Sequence, residues 1–139
     1  MQGNINVVGT EWWTLELPEE WLAEEDEEGV VISDQDGIGV IEISTLWRDS
    51  EQIDEKDFEV FAEEVIAAGY PRTNVQLGQL KGWLFSYSDS DGWWREWYLF
   101  HANLFLYVTY NCAMDHQGLD DEPVNGLLAD ITLLIPAST

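Results

Sequence analysis

The chain has 139 residues, 28 of them acidic and 5 basic, for a formal net charge of −23. Charge of that size and sign excludes a nucleic-acid backbone or an anionic membrane as partner, since both repel the chain at long range. Eight tryptophans and a 45% hydrophobic content exclude a disordered acidic segment, which would be poor in aromatics, and the length suits one domain over residues 1–139.

A single cysteine, Cys112, cannot close an internal disulfide. The opening residues lack the basic start and apolar run of a signal peptide, and no stretch approaches the ~18 apolar residues of a membrane helix. The expectation is a cytoplasmic, bacterial protein. Its acidity is uneven. Glu11 to Glu28 holds nine acids and no base, and Glu51 to Glu64 holds seven acids against Lys56 alone.

In chain order, residues 1–10 are expected to be a loose arm. A first strand, Trp12–Leu17, ends at Pro18, which cannot donate to a ladder. Glu24–Glu28 has the composition of a solvated acidic loop. Strands Gly29–Ser33 and Ile38–Trp47 follow, joined through Asp34-Gln35-Asp36-Gly37, where Asp-Gly supplies the positive φ of a tight turn. Phe58, Phe61, Ala62, Val65 and Ile66 fall on one face of a helix spanning Asp54–Ala68. Asp54 suits its N-cap, and Gly69 with Pro71 stops it.

Four strands come next: Asn74–Leu80, Trp83–Ser88, Trp93–His101 and Leu104–Cys112. Lys81-Gly82, Asp91-Gly92 and Ala102-Asn103 are the candidate turns. With the last two as two-residue loops, counting sorts the side chains. One face carries Trp83, Phe85, Tyr87, Trp94, Glu96, Tyr98, Phe100, Phe105, Tyr107, Thr109 and Asn111. The other carries Leu84, Ser86, Trp93, Arg95, Trp97, Leu99, Leu106, Val108 and Tyr110. Both faces are apolar enough to require a cover. A closing helix, capped by Asp120 or Asp121 with Pro123 in its first turn, supplies one through Val124, Leu127, Leu128, Ile131 and Leu134 or Ile135. The order βββ-α-ββββ-α predicts an α+β fold, an antiparallel β-sheet flanked by helices as an α/β/α sandwich.

The opening Leu15-Glu16-Leu17-Pro18-Glu19-Glu20-Trp21, the helix after the third strand, the strand quartet and the closing helix together resemble the PsbP-like superfamily, which includes the Ran-binding Mog proteins and several bacterial families. The resemblance runs from about Trp12 to Pro136. It implies an α/β/α sandwich and non-catalytic work: docking to a photosystem, binding a GTPase, or chaperoning a secreted effector. The chain departs from the lumenal and lipoprotein members in lacking their targeting segment, and the resemblance carries over no site residues.

No catalytic constellation emerges. Cys112 and His101 could pair as nucleophile and base, but the expected hairpin puts Trp93 opposite Cys112. His101 then lies about 26 Å away along the strands at ~3.3 Å per residue. Cys112 and His116 offer two metal ligands where zinc requires three or four. Asp34-x-Asp36-Gly37 and Asp89-x-Asp91-Gly92 resemble half of a calcium loop. With glycine sixth, however, the twelfth position is Ile43 or Tyr98, neither of which supplies a carboxylate. No metal and no cofactor is therefore expected, and no enzyme; the catalytic alternative rests on scattered strand carboxylates such as Glu42 and Glu96, which on strands are more often half-exposed or paired than catalytic.

The acids and aromatics coincide between Glu11 and Glu28. Trp, Tyr and Arg anchor protein interfaces, and acidic surfaces steer basic partners. The expected function is a non-catalytic domain docking a basic protein, in an immunity- or chaperone-like role. The candidate partner-binding residues are Trp12, Trp13, Glu19, Glu20, Trp21, Glu24, Glu25, Asp26, Glu27 and Glu28. Of the adjacent Trp12 and Trp13, strand alternation turns one away from the core. Two alternatives stand beside this: a small-ligand site in an aromatic pocket between sheet and helix, and surface acidity as salt adaptation.

Overall fold

The computed structural model describes residues 6–18, 20–25, 29–34, 37–48 and 53–134. Five strands open the chain: β1 (Asn6–Gly9), β2 (Trp13–Leu17), β3 (Trp21–Glu25), β4 (Val30–Asp34) and β5 (Gly39–Trp47). Two short helices follow, α1 (Glu55–Phe61) and α2 (Glu63–Ala67), then β6 (Arg72–Leu77), β7 (Leu80–Asp89), β8 (Gly92–His101) and β9 (Leu104–Cys112). Helix α3 (Asp121–Ala129) and strand β10 (Thr132–Leu133) close it. The fold is α+β, as predicted. Its larger sheet runs β3-β4-β5-β9-β8-β7-β6, and its smaller one runs β1-β2-β10.

The predicted division of faces holds. Trp97, Leu99, Leu106, Val108 and Tyr110 join one core with Trp13, Leu15 and Leu17 of β2 and Val124, Leu127 and Leu128 of α3. Trp83, Phe85, Tyr98 and Phe105 join the other with Ala62 and Val65 of the helix pair. Burial on both sides is why β8 and β9 are nearly continuous in apolar residues instead of alternating. The cover of the first face differs from the expected lone helix: α3 shares it with the three-stranded sheet.

Hairpin β8–β9 turns at Ala102-Asn103 and sets Trp93 opposite Cys112, as counted from the sequence. Hairpin β7–β8 turns one residue earlier than expected, at Ser90-Asp91, with Asp89 opposite Gly92. Asp89 is the cause. Its Oδ1 accepts the amides of Asp91 (2.8 Å) and Gly92 (3.2 Å) and the indole N–H of Trp94 (3.0 Å), a side-chain-built turn. The turn expected at Lys81-Gly82 lies instead at Gly78-Gln79. Gly78 has φ +63°, and a Cβ there would sit 2.6 Å from the Ala129 carbonyl oxygen. Glycine is required by the turn and by the close approach of α3.

Other boundaries are corrected too. Part of the expected loose arm is strand β1, paired antiparallel with β2 from Asn6↔Leu17 to Gly9↔Thr14. Glu24 and Glu25, expected in a loop, lie in edge strand β3, where charges guard an open edge. The turn through Gln35 and Asp36 lies outside the described residues. The expected single helix is interrupted at Ala62, which has φ −97° and ψ 14°. Its predicted cap is present as a reciprocal box: the Asp57 amide donates to Asp54 Oδ1 (3.1 Å), and the Asp54 amide donates to Asp57 Oδ2 (2.9 Å). Ile66, expected on the buried face, is 43% exposed.

At the closing helix, Asp120 stands at the N-cap without a capping bond, since its carboxylate accepts the Tyr110 hydroxyl at 2.7 Å. The apolar stripe stops at Ile131, Leu134 is exposed, and Ile135 lies outside the described residues. Pairing of β10 with β2 ends the helical course. Among the described residues no helix is long and apolar enough to cross a membrane.

Candidate functional site

The fold buries two of the residues of the sequence-predicted patch. Trp13 is 0% and Trp21 3% exposed, both within the core under the small sheet. The Trp13 indole N–H donates to Thr45 Oγ1 at 2.9 Å. These two side chains hold the fold together and are inaccessible to a partner, because their burial in the core between the two sheets outweighs the local acidity. Trp12 is the outward member of its pair, half-buried and stacked on Trp47 with centroids 4.3 Å apart and planes 6° apart. Glu20, Glu24 and Glu25 are exposed, and Glu25 Oε1 accepts the Gly9 amide at 3.1 Å. Glu19, Asp26, Glu27 and Glu28 lie outside the described residues.

A different constellation lies on the sheet face beneath α1 and α2. Register places Tyr98 opposite Tyr107, Tyr87 opposite Trp94, and Glu96 between Phe85 and Thr109. All of these side chains point to the helix-covered side, because strand residues of one parity share a face. Glu96, 6% exposed, is the hub. Its Oε1 accepts the hydroxyls of Tyr98 (2.8 Å) and Tyr107 (2.9 Å), and its Oε2 accepts that of Tyr87. Three donors converging on one carboxyl group match its acceptor-only ionised form. All three phenols are raised above the ordinary tyrosine range, first by burial and then by Glu96, so they remain donors.

The hub lies in a cleft of about 730 Å³ between the helices and the sheet. Phe61, Tyr70, Tyr87, Tyr98, Phe105 and Tyr107 are its aromatic lining, and Glu63, Glu64 and Asp89 are its exposed acids. None of its lining residues is basic. Tyr70, Tyr87 and Trp94 form a stacked run, with centroid separations of 4.3 and 6.3 Å and interplanar angles of 6° and 9°. A second hollow of about 310 Å³ shares Tyr107 as a lining residue and is also lined by Trp94, Thr109 and Glu42.

Chemically the cleft can hold and orient a bound group, and the cysteine–histidine pair weighed from the sequence is not assembled. Cys112 is buried, its thiol is raised chiefly by burial, and it lies at the opposite end of the β8–β9 hairpin from His101. Among the described residues no three His, Cys, Asp or Glu side chains gather to hold a metal. Arg95, on the opposite sheet face, pairs across from Tyr110 as expected. Its guanidinium lies 4.5 Å from the centroid of Trp97 and donates to Asn125 Oδ1 at 2.9 Å.

The sequence reading named Glu96 only as a scattered strand carboxylate and missed the hub, although a signal was present. Glu96 is the one charged residue on an otherwise aromatic strand face. Its meaning depends on three hydroxyls from three strands converging on it.

No protein-family model matches the sequence, and no curated protein sequence matches it. Solved structures share the fold. A Bacteroides thetaiotaomicron protein superposes with a TM-score of 0.69 at 14% identity, covering 99% of this chain and 51% of that one. The chain thus spans about half the length of that protein. The cyanobacterial PsbP (CyanoP) of Synechocystis gives 0.52 at 8% identity over 96% of this chain and 94% of its own. LpqN, involved in cell envelope biogenesis of Mycobacterium tuberculosis, gives 0.56 at 17% identity over 94% and 84%. The chain therefore has a PsbP-like fold.

Proposed function

We propose that this chain is a non-catalytic binding domain for a basic protein, and that the cleft between α1–α2 and the sheet receives part of that partner. The observation that carries the reading is an aromatic-walled cleft with a buried carboxylate at its floor, acids at its rim and no base in its lining. A net charge of −23 supports it, because such a field accelerates encounter with a basic protein and suppresses acidic competitors. The exposed Glu20, Glu24 and Glu25 add to that field from elsewhere on the molecule. An immunity- or chaperone-like role in a bacterial cytoplasm, and kinship with the superfamily that holds the PsbP and Ran-binding Mog proteins, belong to the same proposal.

The test is capture from host lysate at low and high salt by the native chain and by a Tyr70→Ala, Tyr87→Ala variant. A basic protein held at low salt, weakened at high salt and lost with the variant is the expected result. Recovery of no basic protein at either salt overturns the reading. A second reading, a small ligand in the same cleft, is favoured by a volume within the range of small-molecule sites. Because Trp94 stacks on Tyr87, a metabolite entering there should quench or shift tryptophan fluorescence.

A further inference from the structure

Resting on the cleft reading above, we infer that the group the cleft selects is the guanidinium of an arginine in an extended basic segment of the partner. The charged residues that line it are Glu63, Glu64, Asp89 and Glu96, all of one sign. Hydrogen bonds satisfy Glu96 as an acceptor but leave its charge without a counter-ion in the lining. An ionised carboxylate offers about four acceptor positions. The three tyrosine hydroxyls occupy two on Oε1 and one on Oε2. One position on Oε2 is left for an N–H donor.

The walls favour a planar cation over a compact one. Tyr70, Tyr87 and Trp94 lie nearly parallel. A guanidinium stacks flat on the outer face of such a run while its in-plane N–H groups remain free to donate to a carboxylate, and it sheds water more readily than an ammonium. The space favours a segment over a lone side chain. The main cleft of about 730 Å³ far exceeds one arginine, and the smaller hollow shares Tyr107 with it as a lining residue. There Glu42 is exposed, and the Thr109 hydroxyl oxygen has no hydrogen-bond partner. Glu42, Thr109 and Glu96 stand in register on β5, β9 and β8, so two carboxylates recur across the direction a bound chain would run, with the buried Thr109 between them.

Three otherwise identical short peptides test this at near-physiological salt, carrying arginine, lysine or the neutral isostere citrulline. Binding is followed by NMR shifts of the tyrosine rings and indoles. The arginine peptide is expected to bind about tenfold more tightly than the lysine peptide and more tightly still than the citrulline peptide. Its shifts should centre on Tyr70, Tyr87, Trp94 and Tyr107. Glu96→Gln should abolish the preference. Because that hub also supports the fold, the exposed Glu63→Gln, Glu64→Gln pair gives a second measure and should weaken binding by about threefold or more. Glu122→Gln on α3 should leave it unchanged.

Equal arginine and lysine affinities, or an equal citrulline affinity, with shifts in the cleft overturn guanidinium selection while leaving the cleft as the binding site. Shifts centred away from the cleft overturn both. If none of the peptides binds, the inference falls, and the lysate capture decides the cleft independently.

Discussion

Trp13→Ala is the sharpest test of which tryptophans the fold consumes. The side chain is 0% exposed, packs in the core under the small sheet, and donates to Thr45 Oγ1 at 2.9 Å. Truncating a buried aromatic to alanine costs about 3–5 kcal/mol, of which the lost hydrogen bond is about 1. Against the ~5–15 kcal/mol that holds a domain of this kind together, that is roughly a fifth or more of its stability. At roughly 3–4 °C per kcal/mol for a chain of this length, Tm should fall by about 9–20 °C. Trp12, one residue earlier, is half-buried and stacks on Trp47, so Trp12→Ala should cost only about 1 kcal/mol. Urea unfolding followed by circular dichroism measures both, with m-values reporting whether two-state behaviour persists. A cycle of Trp13→Phe with Thr45→Val should return a coupling of about 1 kcal/mol for the hydrogen bond. Equal losses for the two alanine variants, or a Trp13→Ala chain within about 1 kcal/mol of the original, would refute the burial reasoning.

Other outcomes follow from the same contacts. In alkaline titration, the phenols of Tyr87, Tyr98, Tyr107 and Tyr110 should ionise above the ordinary value of about 10, because burial first and Glu96 or Asp120 next oppose the phenolate. Folded values above unfolded ones mean that their stabilisation is complete below pH ~10 and is lost as pH rises beyond it. Urea midpoints should therefore decline there, and all five tyrosines titrating together near 10 in the folded chain would count decisively against the cluster. Gly39→Ala places a Cβ 2.4 Å from the ring of Tyr110, which is 1% exposed and tied to Asp120. An overpacking loss of about 1–3 kcal/mol should appear as a lowered Tm, and an unchanged Tm contradicts the contact. Asp54→Ala should remove about 1 kcal/mol by opening the capping box. The Asp57 carboxyl is lowered first by the Asp54 amide, with burial opposing and Arg48 adding to it. Its contribution is therefore present above pH ~4 and should fade as pH falls through the lowered value; an acid limb identical in an Asp57→Asn variant argues against it.

The sequence by itself determined the partition of the central strands into two buried faces. It did so despite a misplaced turn. Moving the loop from Asp91-Gly92 to Ser90-Asp91 changes every β7–β8 partner by two residues, and a shift of two leaves each side chain on its own face. The first helix and its Asp54 cap were legible for a similar reason, because apolar spacing and capping are local properties of the chain. The tertiary structure alone decided what depends on distant residues. Alternation shows that Trp12 and Trp13 part company, but only the docking of β2 on the large sheet says that Trp13 goes in. The turn at Gly78 answers to Ala129, 51 positions away by number, and β1 and β10 exist as strands because β2 offers them edges. The cleft belongs to the same class. Glu96 is a lone carboxylate in sequence, and it becomes a site only where β7, β8 and β9 bring three hydroxyls onto it under a helix pair.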